Sequence, residues 1–368
     1  MIAAIVLTLA ATAAGTLMSY AYDDDAPPAA RLAYGAATGL VVLSAAGFVL
    51  AHLVGIGMAA VGAGIVVALP LAALVRSTVR ARLVDDARTL SRDLVGAMRE
   101  PSLATIGPIA YAVAITALLW LVFDRVIVER DGGMATGYVN NLGDMPFHIG
   151  VTSSFAFGQN FPPEDPTFAG TGFVYPYLSD LMAALFVALG ASFRDAIFIG
   201  NLVLGLALVV VLHRFTRVLT GDRLAAYLAP VLVLFSGGLG WLLFLQDAAS
   251  SETGLVGLLG ALARDYTITS EGPLRWGNAI TTLLVTQRSL LMGMPIALLA
   301  LTLLWRLIHM DISRPAPISA RTIAIAAGIL TGSLPLVHAH SFVVVMGTAF
   351  LLGLLFRQWR EDRWRPWL

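Results

Sequence analysis

The chain alternates long apolar stretches with short charged segments. Nine of these stretches are nearly free of charge, and most approach the ~17–25 residues that a helix needs to cross a bilayer. We therefore predict an all-α, polytopic membrane protein with about nine transmembrane helices: residues 2–20, 33–50, 55–75, 103–123, 196–212, 224–245, 289–305, 322–337 and 342–356. The second and third stretches are so close in sequence that a tight hairpin must join them.

The arginines predict which ends of these helices face the cytoplasm, because basic residues are retained on that side. All 23 basic residues are arginine, and 16 of them lie in residues 76–99, 213–223, 306–321 and 357–368. The two long segments 124–195 and 246–288 hold six arginines and 12 of the 23 acids, so we place them on the outer side. The arginine counts leave the orientation of the first two helices open.

Two shorter patterns predict helices that lie along the membrane surface. Residues 177–189 are apolar, but as a helix they would cover only about 20 Å of the ~30 Å hydrocarbon core. We predict that this helix lies at or dips into the outer interface. Residues 82–98 alternate Arg and Asp with apolar side chains, which is typical of an amphipathic surface helix. The chain thus divides into N-terminal helices with this cytoplasmic helix (1–102) and a membrane module (103–368).

Composition narrows the function classes. Only 12% of residues are charged, the mean hydropathy is +0.82, and the zero net charge gives no sign of a nucleic-acid partner. Because cysteine is absent, disulfides, thiolate metal sites and cysteine nucleophiles are excluded. The lack of lysine, with abundant Ala, Gly, Leu and Val, suggests GC-rich codons and hence a bacterial inner (plasma) membrane.

The first outer segment contains the most informative residues, in Gly143-Asp144-Met145-Pro146-Phe147-His148. This string begins a predicted helix that runs to about residue 157, and Asp144 and His148 share one face of it. The pair is a candidate base with an orienting partner, or two ligands of a divalent cation such as Mg or Mn. Alternatively, Asp144 only caps the helix and His148 is structural.

The second outer segment and the last helix pair add further candidates. Arg288 at the outer end of a helix, flanked by the donors Gln287 and Ser289, is suited to a lipid phosphate or pyrophosphate, or else only reaches toward headgroups. Trp276 is a candidate for stacking on a sugar, or an interfacial anchor. His338 and His340 occupy an outer turn and either reach the cavity of Asp144 and His148 or simply stabilise that turn.

The order of features across residues 103–250 resembles the GT-C superfamily of membrane glycosyltransferases, which includes protein O-mannosyltransferases. An acid on a short outer helix is followed by Asn160-Phe161-Pro162-Pro163, by Tyr175-Pro176 and by a short apolar helix. An Arg-rich cytoplasmic turn, Thr220-Gly221-Asp222-Arg223, comes next. The resemblance implies that Asp144 is the catalytic base and that Asp247 is a second acid; Tyr175 is a candidate for substrate contact.

Two features depart from this family's pattern. Met145 follows Asp144 where the family commonly has a second acid, and family members usually have more helices after this region. The chain is therefore expected to be a compact member, a fragment or one part of a split protein.

The expected function is inverting transfer of a sugar from a polyprenyl-phosphate or pyrophosphate donor at the non-cytoplasmic face. Asp144 would act as the general base, Asp247 would position the acceptor or donor, and Arg288 would neutralise the leaving phosphate. The expected partners are the lipid-linked donor and membrane lipids. The alternatives are a transporter or flippase of a lipid-linked or anionic substrate, and a non-catalytic membrane subunit.

Overall fold

The computed structural model describes residues 1–130, 132–266, 276–310 and 317–356, and this part of the chain is mostly helical. Its α-helices are α1 (Ile2–Ser19), α2 (Pro28–Ala68), α3 (Ser77–Arg99), α4 (Leu103–Asp124), α5 (Asp144–Ala156), α6 (Leu178–Ala188), α7 (Phe193–Thr220), α8 (Arg223–Leu234), α9 (Trp241–Ser250), α10 (Gly254–Gly260), α11 (Arg288–His309), α12 (Ala320–Val337) and α13 (Ala339–Leu355).

Non-α elements are few among the described residues. A small antiparallel hairpin of β1 (Val128–Arg130) and β2 (Gly133–Ala135) opens the first outer segment. Short 3₁₀ turns span Leu69–Val75 and Val139–Asn141, and a π-helical turn spans Ile280–Leu284. The described residues are thus mostly helical with few strands, as the prediction of an all-α protein requires.

Helix α2 reverses direction at Gly55, which has φ 75° and ψ 162°. In one straight helix residues 50 and 62 would lie about 18 Å apart. Instead, a Cβ placed on Gly62 would be 2.8 Å from Cδ1 of Leu50. Such a backbone conformation favours glycine, which explains why the reversal occurs there. The expected tight hairpin is therefore present, and both of its arms pack against α1.

Helix α6 corrects the prediction of a helix lying at the outer interface. Ten of its 11 residues, Leu178–Val187, are buried, and it packs against α2, α5, α7 and α11. A helix that is apolar all round belongs inside a protein rather than at a half-wet surface. Its shortness, however, agrees with the prediction that it does not cross the membrane.

Length and composition do not confirm the nine predicted spans. Within the described ranges six helical segments are long and apolar enough to cross a bilayer, and one of them, Pro28–Val75, contains the Gly55 reversal. The stretch 224–245 is not one helix, because α8 ends at Leu234 and α9 begins only at Trp241. Gly237, Gly238 and Gly240 lie in the gap and disfavour helix. Helix α13, with 17 residues, is at the lower limit of the length that a span needs and is not among the six.

Ion pairs link arginines at one end of the bundle to the turn after α1, and they show which way α1 runs. Arg306 of α11 pairs with Asp23 and Asp24 in the turn after α1, and Arg214 of α7 reaches Asp25 at 2.9 Å. These arginines belong to the segments predicted to be cytoplasmic. The turn between α1 and α2 therefore lies at the end of the bundle predicted to be cytoplasmic, and the N-terminus, 3.7 Å from Asp195, lies at the end predicted to be outer.

Candidate functional site at the outer end of the bundle

The first outer helix presents an acid without a partner. Asp144 is the first residue of α5, after Gly143, and its side chain makes no capping hydrogen bond. It is half-buried and, among the residues described, has no hydrogen-bonding or ion-pairing partner. The structure therefore does not support the capping alternative, although a carboxylate in the first turn is still favoured by the helix dipole.

His148, one turn further along α5, binds Asp180 rather than Asp144. Its Nδ1 lies 2.9 Å from Oδ2 of Asp180, and both side chains are at most 1% exposed. An ionised carboxylate can only accept, so Nδ1 carries the proton and, in the neutral ring, Nε2 is left as a base. The predicted histidine with an acidic orienting partner is present, but the acid comes from α6.

Arg288 closes this buried cluster from α11. Its Nη1 donates to Oδ1 of Asp180 at 2.6 Å and its Nη2 to the carbonyl oxygen of Ser179 at 3.2 Å. Arg288 is the first residue of α11, where the helix dipole disfavours a cation. The carboxylate of Asp180 offsets both this cost and that of burying the guanidinium, whose side chain is only 1% exposed.

Aromatic rings from the first outer segment surround the cluster. The Tyr175 ring lies 5.1 Å from Phe147 and 6.0 Å from His148 between centroids, and its hydroxyl lies 3.4 Å from Oγ of Ser289. Burial raises the pKa of Tyr175, and the nearby charges of Asp180 and Asp144 raise it further, whereas Ser289 and Arg288 oppose this. The charges of Asp144 and of the buried pair Asp180 and Arg288 therefore all act on Tyr175.

Four further residues predicted to bind substrate are not part of the buried cluster of His148, Asp180 and Arg288. Gln287 is half-buried directly before Arg288, and Trp276 is 60% exposed. His338 packs on α11 at Gly293, where only a glycine leaves room for its Cβ, and its Nδ1 lies 2.8 Å from Oγ of Ser341. His340 is exposed, and its ring lies 5.4 Å from that of His338 between centroids, at a tilt of 43°.

Asp247 has its polar partners in its own segment. Its carboxylate accepts from Nε of Arg264 at 3.0 Å and from the Tyr266 hydroxyl at 2.7 Å. The structure therefore brings Asp144, His148, Tyr175 and Arg288 together, while Asp247 belongs to a separate ion pair. Burial and the hydrogen bond to Asp247 raise the pKa of Tyr266.

No metal-binding cluster of three or more His, Asp or Glu side chains occurs in the part of the chain that the structure describes. Asp180 already occupies Nδ1 of His148, which leaves Asp144 and His148 as at most two ligands. A structural divalent-cation site normally needs more ligands than this.

The sequence reasoning missed Asp180, although a signal for it exists. It is the single acid in the apolar segment 177–189, and an ionisable residue in such a segment is a functional candidate by default.

Comparison with known proteins does not assign the chain to a family: no family model, no curated protein and no solved structure matches it.

Proposed function

We propose that this chain is a membrane glycosyltransferase that moves a sugar from a polyprenyl-phosphate-linked donor to an acceptor hydroxyl at the non-cytoplasmic face. One observation carries the proposal: the half-buried, unpartnered carboxylate of Asp144 at the start of the first outer helix. The resemblance to GT-C enzymes gives this same position to the catalytic base. A carboxylate that has no hydrogen-bonding or ion-pairing partner in the described part of the chain is available to accept a proton.

In the proposed reaction Asp144 takes the proton of the acceptor hydroxyl as its oxygen attacks the anomeric carbon. The bond from that carbon to the phosphate oxygen breaks, and the phosphate leaves with the bonding electrons. This single displacement inverts the anomeric configuration. We propose that the rings of Phe147 and Tyr175, 5.1 Å apart between centroids, keep water from the reacting groups, which would favour transfer to the acceptor over hydrolysis.

The buried cluster would serve as a support for this reaction. Asp180 orients His148, which lies one turn from Asp144 on α5, and Arg288 donates a hydrogen bond to Asp180. A site built on packed helices holds its groups more precisely than one on loops. Because Arg288 is buried and paired with Asp180, we propose that it supports the reaction by holding Asp180 in place. Direct contact with the donor phosphate would first require that pair to open.

Asp247 would act from the second outer segment. Its carboxylate forms an ion pair with Arg264 at 3.0 Å. We propose that it positions the acceptor or the donor sugar there, as the resemblance implies.

A transporter is the second candidate, and one observation favours it. Ionisable groups are buried at both ends of the bundle, with Asp180 and Arg288 at the outer end and Asp23 and Arg31 at the cytoplasmic end. Transporters commonly place such groups along the substrate path. A transporter would change the side on which a lipid-linked substrate is found, but not its chemical form.

Glycolipid analysis of a strain lacking the gene tests the proposal. We expect one carrier-linked sugar to accumulate by mass spectrometry, and its glycosylated product to disappear. Complementation with Glu129→Gln, a change at an exposed acid of the outer β-hairpin, should restore the product. Asp144→Asn should not restore it at equal protein level in the membrane. Unchanged glycolipids and products in the deletion strain would contradict the proposal.

A further inference from the structure

A cavity of about 500 Å³ lies between α2, α4, α7 and α8. Its walls are apolar, and at one end they are formed by Ala36, Ile115, Val203 and Leu206. Helix α4 contributes the exposed residues Ala112 and Thr116, so the cavity opens to the side of the bundle. Its volume is in the range of small-molecule and lipid sites.

The other end of the cavity is polar and lies towards the cytoplasm. Tyr111, His213 and Tyr227 line it, and the Tyr227 ring lies 5.2 Å from Tyr111 and 4.6 Å from His213 between centroids. The Tyr111 hydroxyl is buried there and has no hydrogen-bond partner among the residues that the structure describes. Buried polar groups are normally paired, so this hydroxyl is suited to a polar atom of a ligand.

Two cations stand beside this polar end. Arg217 is one turn after His213 on α7, and Arg223 is one turn before Tyr227 on α8, so each lies next to a residue that lines this end. Neither guanidinium has a hydrogen-bonding or ion-pairing partner among the described residues. The nearby carboxylate of Asp222 is engaged in capping α8 through the backbone N–H of Ala225.

We propose that this cavity binds a phosphate-bearing lipid from the cytoplasmic leaflet, with one hydrocarbon chain between the helices and the phosphate at Arg217 and Arg223. An apolar slot with a basic mouth matches such a molecule in both shape and charge. The phosphate could belong to an anionic phospholipid or to a polyprenyl phosphate. This inference does not depend on the glycosyltransferase proposal.

Native mass spectrometry of the purified chain tests the inference, with phosphatidylglycerol, undecaprenyl phosphate and phosphatidylcholine as probes. We expect retention of phosphatidylglycerol, undecaprenyl phosphate or both, and much weaker retention of phosphatidylcholine. Preference between the first two identifies the source of the phosphate. Arg217→Gln should lower retention about fivefold, as expected for one cation beside an anionic group.

Matched variants distinguish lipid bound in this cavity from lipid that adheres nonspecifically to the outer surface of the helices. Ala112→Phe fills the cavity, whereas Ala114→Phe adds the same ring to an exposed alanine of α4 that does not line it. Arg321→Gln removes an exposed cation elsewhere on the cytoplasmic side. We expect loss of lipid with Ala112→Phe and Arg217→Gln only. Equal retention in all variants, or equal loss with Ala114→Phe, would overturn the inference, as would equal retention of phosphatidylcholine.

Discussion

At the scale of residues, Asp180 joins His148 and Arg288 in one buried cluster, and Asp144 lies one turn from His148 without contacting that acid. Asp144, His148 and Arg288 stood out because charged or imidazole groups next to apolar helices are costly. The spacing of Asp144 and His148 suggested that they pair, but His148 binds Asp180 instead. Helical spacing shows which residues share a face, whereas a partner from another helix depends on tertiary packing. This is why Asp180 could not be paired from the pattern alone.

The buried cluster predicts a large loss of stability when Asp180 is removed. Asp180→Ala leaves Arg288 as an uncompensated buried charge, so we expect the free energy of unfolding to fall by about 3–5 kcal/mol. Replacing both partners, Asp180→Leu with Arg288→Met, should recover part of this loss. Thermal unfolding in detergent measures the effect.

Glu129→Ala is the control for this measurement, because it removes an exposed acid and should change stability by about 0.5 kcal/mol at most. If Asp180→Ala unfolds at the same temperature as the unmodified chain, the buried ion pair does not stabilise the bundle as described.

At the scale of elements, apolar length and periodicity predicted most helices but not their surroundings. The helix from Asp144 and the helix over residues 82–98 are present as α5 and α3. The predicted environment of α6 was wrong. A short apolar segment has the same sequence pattern whether its helix lies at an interface or in a core. The hairpin in α2 followed from spacing alone, since two spans cannot be joined otherwise, but the role of Gly55 needed its backbone angles.

The reversal at Gly55 predicts different effects for two nearby glycines. Gly55→Ala places a side chain at φ 75° and 3.0 Å from Oε1 of Gln159, which accepts from the N–H of Ile56. We expect a cost of about 1–3 kcal/mol, measured by thermal unfolding in detergent. Gly57→Ala, whose Cβ would meet nothing within 4 Å, should be neutral or slightly stabilising. Equal effects of the two changes would contradict this conformation.

At the scale of the whole molecule, the arginine distribution predicted which end of the bundle faces the cytoplasm. The contacts of α1 in the structure extend this prediction to the first two helices. The arginine counts could not place the first two helices because few arginines flank them. The ion pairs of Arg214 and Arg306 with the turn after α1 supply this information. Long-range pairs of this kind are absent from local sequence, so only the assembled bundle reveals them.

This orientation can be tested by labelling, because the chain has no cysteine of its own. Single cysteines replace the exposed residues Ala21, Arg88 and Glu129. A membrane-impermeant maleimide should label Glu129→Cys in intact cells, and Ala21→Cys and Arg88→Cys only after permeabilisation. Labelling of Ala21→Cys from outside would contradict the placement of the α1–α2 turn.

The role of Asp144 is most directly tested by a transfer assay with purified protein. The donor is the carrier-linked sugar that accumulates in the deletion strain, and the product is measured by mass spectrometry. We expect Asp144→Asn to lower the turnover rate by about 10²–10⁴-fold, the usual contribution of a general base. Glu129→Gln should transfer at the normal rate. Full turnover by Asp144→Asn would show that this carboxylate is not the base and would contradict the proposed mechanism.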